Sequence, residues 1–157
     1  MMQKYYNIVF TILFVSGILS LTSCDKHTIS HRYHCINSDG WYRSDTLFFA
    51  IDSIESDNTY HFFLDLRTTN DCPYKSLWLT VEKELCTNPT FECDTIEFVL
   101  TNQQHQRTGT GIHLLQYSKE IKSTYLNKGT NGCIRIYHIR NDDCLIGIRD
   151  IGIRIEQ

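Results

Sequence analysis

Three kinds of side chain in this sequence can do chemistry: seven cysteines, seven histidines and eighteen carboxylates. His27, His31, His34 and Cys35 stand in an H-x3-H-x2-H-C run, a composition able to ligate a metal ion. The run lies in a polar stretch with neither hydrophobic period, which offers no rigid partner groups to hold a coordination geometry, so it reads as linker and no metal ligand is assigned. Asp52, Glu55 and Asp57, then Asp71, then Asp142 and Asp143 fall in expected loops. None has the D-x-D-x-D-G spacing of a calcium loop, and Asn141-Asp142-Asp143 is turn chemistry first. His61, His113 and His138 have no nucleophile at a motif spacing, and neither a nucleophile elbow nor H-E-x-x-H occurs. Thr108-Gly109-Thr110-Gly111 lacks the lysine and helix start of a phosphate loop and reads as a turn. No catalytic residue, metal site or cofactor follows.

One cysteine has a motif of its own. Lys4 precedes an apolar run over residues 8–21, which is short of the roughly 20 residues needed to span a bilayer and fits a signal-peptide core. Leu21-Thr22-Ser23-Cys24 follows directly and resembles a bacterial lipobox. Cleavage before Cys24 would leave it as an acylated N-terminus, and several acyl chains at about 0.8 kcal/mol per buried methylene anchor a protein without spanning the membrane. With Cys24 used for lipid, the remaining six cysteines are an even set suited to an oxidising periplasm. In many bacteria an aspartate after the lipidated cysteine, as at Asp25, favours inner-membrane retention; where sorting instead reads an acidic cluster for surface export, Asp25-Lys26-His27 is no clean example, and the periplasmic side of the outer membrane is favoured over the cell surface.

These residues must be positioned by strands. Alternating or β-branched segments cover 45–51, 59–67, 76–83, 94–101, 112–117, 133–140 and 145–155. Tyr60, Phe62, Leu64 and Leu66 share one face, as do Leu77, Leu79 and Val81, then Ile96, Phe98 and Leu100, then Ile151, Ile153 and Ile155. Only residues 118–126 suggest a short helix, through Ile121, Tyr125 and Leu126. About seven strands without regular intervening helices predict an all-β, antiparallel β-sandwich. The expected organisation is a lipoprotein signal peptide over 1–23, a lipidated N-terminus and polar tether over 24–40, and the sandwich over 41–157. A net charge of −3 and a pI near 6.1 leave no basic surplus for nucleic acid.

Aromatics in expected loop, edge or outward positions are the candidate contacts for a partner or a sugar ring: Trp41, Tyr74 and Trp78, with Tyr42 and Phe63 beside them. Cys86 and Cys93 bracket six residues, a loop whose closure would contribute about 2.5 kcal/mol. With that pair set, alternating strands place Cys72 near Cys144 and leave Cys35 for Cys133. Asp45-Thr46-Leu47, Asp52-Ser53-Ile54 and Asp94-Thr95-Ile96 match a short O-glycosylation acceptor pattern at Thr46, Ser53 and Thr95.

Trp41, the strand over 45–51, Tyr60-His61-Phe62-Phe63-Leu64-Asp65-Leu66-Arg67, Asn70-Asp71-Cys72-Pro73-Tyr74 and Leu77-Trp78-Leu79 together resemble the gliding-motility lipoprotein family GldH. The tail Gly147-Ile148-Arg149-Asp150-Ile151-Gly152-Ile153-Arg154-Ile155-Glu156 is similar to that family's closing signature. The resemblance implies an outer-membrane lipoprotein of the gliding machinery and its linked secretion system, or of envelope assembly, with envelope proteins as partners and no family chemistry to carry over. The alternative from the residues themselves is a carbohydrate- or calcium-binding sandwich displayed on the cell surface.

Overall fold

The computed structural model describes residues 28–86 and 90–157; the leader, His27 and Cys24 lie outside them. Ten strands and no helix occur among the described residues: β1 Thr28–Cys35, β2 Trp41–Tyr42, β3 Leu47–Ile51, β4 Asn58–Thr69, β5 Ser76–Leu85, β6 Thr90–Val99, β7 Leu114–Leu126, β8 Gly132–His138, β9 Cys144–Leu145 and β10 Ile148–Glu156. They form two antiparallel four-stranded sheets, ordered β1-β10-β4-β7 and β3-β8-β5-β6, and a two-stranded ribbon β2-β9. The sheets pack face to face as a sandwich, each strand turning alternate side chains inward. Tyr60, Phe62, Leu64 and Leu66 meet Leu77, Leu79, Ile134 and Ile136 there, and Ile151, Ile153 and Ile155 complete the layer as expected.

Residues 118–126 are not a helix. They continue β7, and Phe62 stands opposite two residues of it, because His61 pairs with Ser123 while Phe63 pairs with Glu120. This bulge shifts the inward phase from Tyr117 to Leu126 and breaks the period-two pattern that would otherwise mark a strand. The stretch expected as tether is also corrected: Thr28–Cys35 is an edge strand paired along β10.

The outward face of the first sheet explains why so polar a segment joins the fold. Tyr33, Gly152, Asp65 and Ser118 stand in one row across four strands. Asp65 is fully buried there (0% exposed). His31 Nε2 lies 2.9 Å from Asp65 Oδ2, the Tyr33 hydroxyl donates to the same oxygen at 3.4 Å, and Arg154 Nε approaches it to 3.5 Å. Arg154 also pairs with Glu156, donates to Ser118 Oγ at 3.2 Å and covers the Phe63 ring at 4.2 Å. Tyr33 lies over Gly152, where a Cβ would come within 2.6 Å of its ring carbons, and Arg67 covers the same ring at 4.0 Å. Burial and then the neighbouring Asp65 charge hold the Tyr33 phenol above its usual pKa. On its inward side β1 reaches the second sheet: Arg32 pairs with Asp52, and the His34 ring nitrogen is 2.8 Å from the Phe48 carbonyl.

The opposite side, between β6 and β7, is spanned by Lys83. This inward lysine is 2.8 Å from Glu92, donates to Thr124 at 2.6 Å and covers the Phe62 ring at 4.6 Å. The Lys83 hydrogen bond, ahead of that from Lys122, holds the Glu92 carboxyl below its ordinary pKa against the effect of burial.

Candidate functional site

The loops divide between the two ends of the sandwich. One end carries residues 52–57 and 127–131; the other carries 36–46, 70–75, 100–113 and 139–147, with the β2-β9 ribbon. Three of these last loops are tied to one another. Arg107 donates to the Tyr74 carbonyl at 3.0 Å and to Thr101 Oγ1 at 3.2 Å, and also bonds the Cys72 carbonyl. The Tyr74 hydroxyl then accepts from the Ile146 amide at 3.2 Å, and Thr69 N–H bonds the Gly147 carbonyl at 2.9 Å. Gly147 has φ +77°, and a Cβ on it would sit 2.7 Å from Cys72 Cα, so the close approach of the two loops requires glycine there.

Arg140 covers the Tyr74 ring at 4.7 Å and donates to Asp142 at 2.7 Å. Pairing of Thr80 with Tyr137 brings the next outward residues, Trp78 and Ile139, to the same end of β5 and β8. Trp78, Ile139, Arg140, Asn141 and Asp142 line an open cleft of about 390 Å³, with Trp78 42% exposed. This arrangement can place a flat ring against a partner's apolar or sugar surface while a guanidinium and a carboxylate fix orientation.

Of the three aromatics expected as contacts, the structure brings Tyr74 and Trp78 to this end, Tyr74 half-buried as the support of Arg140. Trp41 is corrected. At 1% exposure it is core, its indole donating to the Asp45 carbonyl at 3.0 Å and its ring meeting His138 edge-on at 5.3 Å. A two-residue strand gives no periodicity from which that burial could be read. Arg107 escaped sequence reading because an isolated arginine in a loop carries no spacing signal, and Arg140 because the segment 133–140 reads as strand to its end whereas β8 stops at His138.

None of the three expected cysteine pairs is bridged in the structure, where the six described cysteines are free thiols. Leu85 pairs with Thr90 and Glu82 with Cys93, so Cys86 lies four positions, about 13 Å, along β5 from the residue facing Cys93, beyond the roughly 7 Å limit for bridging. Cys133 sits on β8 of the second sheet opposite Ala50, whereas Cys35 ends β1 at the edge of the first sheet, paired with Asp150. Cys72 is buried against Gly147, whereas the Cys144 thiol donates to the Asp39 carbonyl at 3.4 Å. Burial raises the Cys72 pKa, and a hydrogen bond to Asp150 raises that of Cys35. Of the sugar-acceptor positions, Ser53 is exposed in a loop, Thr95 is exposed within β6, and Thr46 is half-buried before β3. Among the described residues no cluster of three metal-ligating side chains occurs; His31 and His34 point to opposite faces of β1.

His138, 2% exposed on the inward face of β8, has its pKa lowered by burial. Trp41 faces its ring, and the charged groups nearest it are Arg43, Arg140 and Asp142. Because the unfolded chain takes up this proton near pH 6.5 and the folded one resists it, stability is complete above that pH and falls as pH drops below it. His138→Gln is expected to flatten that decline, read from urea midpoints between about pH 7 and 5; parallel curves for the two proteins would contradict the assignment.

What the fold and cleft define is an all-β module that presents a shallow, mixed aromatic and charged surface at one end. Residues 28–155 match the GldH lipoprotein family, and the chain belongs to it. It is 29% identical over 153 residues to the gliding motility lipoprotein GldH of Flavobacterium johnsoniae, covering 93% of this chain and 94% of that one. A GldH homolog from Christiangramia forsetii is 27% identical over 154 residues, covering 92% and 93%. Among solved structures, a family 35 carbohydrate binding module from Clostridium thermocellum aligns at TM-score 0.42 and 14% identity over 83% of this chain and 90% of that one.

Proposed function

We propose that the protein is a non-enzymatic envelope module, held by acyl chains on Cys24 at the periplasmic side of the outer membrane, and an accessory of the gliding and secretion machinery or of envelope assembly. The family supports the lipid anchor and the association with motility. The observation that carries the interaction role is the Trp78–Arg140 cleft, with a large ring exposed beside charged groups whose positions are fixed by Tyr74 and Asp142. Such residues supply most of the binding energy where proteins meet.

The test is photo-crosslinking in intact cells, with the reactive side chain placed at 78 or, as a control, at exposed position 125 on the far end of the sandwich. A discrete envelope-protein adduct from position 78, absent at 125 and weakened several-fold by Arg140→Ala, is expected. No adduct from 78, or a saturable Trp78 fluorescence response to a glycan panel in its place, would overturn the reading.

A further inference from the structure

We infer that the sandwich stands on its lipid leaflet with residues 52–57 and 127–131 toward the headgroups and the Trp78–Arg140 cleft directed away. This inference rests on the acylation of Cys24 proposed above. Only residues 25–27 separate Cys24 from Thr28, the first residue of β1, so the chain from the anchor to the folded domain reaches at most about 14 Å. Thr28 pairs with Glu156, and β10 in turn pairs there with His61 near the start of β4, whose first residue Asn58 faces Leu126. That end of the first sheet therefore meets the lipid. In the second sheet the same end is where Ile51 and Leu85 both flank Gly132. Trp78 lies seven residues along β5 from Leu85, about 24 Å farther from the surface.

The short tether, not charge, sets which end meets the lipid. Outside the leader the chain has 14 Lys and Arg against 18 Asp and Glu, and the outward face of the second sheet sets Glu82, Glu84 and Glu97 against Arg135. The membrane-facing tips carry Asp52, Glu55 and Asp57 against Lys128. On the first sheet's outward face Arg154 is paired with Glu156 and lies by Asp65, and His31 is held by Asp65, so the acyl chains supply the attraction, and they act at the Thr28 end. The free faces and the cleft are left for a partner outside that leaflet.

The experiment uses the full lipidated protein in nanodiscs containing a headgroup nitroxide lipid, read through isoleucine and leucine methyl signals. Ile51, Ile54 and Leu126 are expected to broaden strongly, and Ile139 and Ile146 to broaden several-fold less. Inserting a dozen Gly and Ser residues after Asp25 is expected to weaken that gradient without shifting the core methyls. Equal or reversed broadening at Ile139 and Ile146 in protein whose Cys24 acylation is confirmed by mass spectrometry would overturn the orientation. An unacylated Cys24 would instead remove the anchor reading on which it rests.

Discussion

Asp65→Ala is expected to lower the unfolding free energy by about 2–4 kcal/mol. The carboxylate is fully buried on the outward face of the first sheet, and removing it leaves Arg154 and Tyr33 facing a void. The figure stays below the upper range for broken buried ion pairs because Arg154 keeps Glu156 and Ser118 as partners. Asp65→Asn preserves the shape and loses only the charge, so it should fall between the two. The damage is local in origin: His31 and Tyr33 hold β1 to the sheet through this residue. Amide exchange in β1 should therefore accelerate before exchange in β5. Urea unfolding of the three proteins, with exchange measured by mass spectrometry, checks both points. A loss under about 1 kcal/mol, the range of an exposed pair, would show that Asp65 does not fasten β1.

Trp41→Ala should cost about 3–5 kcal/mol, the range for truncating a buried large aromatic. The ring closes the loop end of the core against His138, and its indole hydrogen bond to Asp45 fixes the turn that leads into β3. Trp41→Phe retains most of the buried area and forfeits that hydrogen bond, for an expected loss of about 1–2 kcal/mol. The contrast with Trp78→Ala is diagnostic. That residue is 42% exposed, and its loss should leave stability within about 0.5 kcal/mol. Chemical denaturation of the three variants separates the core tryptophan from the surface one, and equal destabilisation by both alanine variants would refute the assignment.

β4 and β5 were legible from sequence because each buries one face along its length, so alternation survives in the residue order. Trp78 was legible for the same reason, since it must oppose Leu77 and Leu79. β1 was not. It is an edge strand whose inward side chains include Arg32 and His34 at the rim of the sandwich, and whose outward ones serve a buried carboxylate, so neither face is apolar. β7 was half legible, up to the bulge that shifts its phase. The cleft could not be read at all, because Arg140 comes beside Trp78 only through the pairing of β5 with β8. The tail signature now has physical meaning: Gly152 makes room for Tyr33, Arg154 reaches Asp65, and Gly147 lets the 70–75 loop close in.

β1 runs the height of the domain, from the end nearest Cys24 to Ile36, and the chain then enters β2, which pairs with β9 at the edge of the 139–147 loop. A pull between the lipid anchor and a partner seated at the cleft would follow this line of covalent bonds and the short β2-β9 ribbon. The hydrogen-bonded step on that line is the β2-β9 ribbon, whose pairs Trp41–Leu145 and Tyr42–Cys144 would carry the load. Tension would reach the cleft without being carried through the packed layer between the sheets, and the protein could bear force along one edge while its core stays at rest.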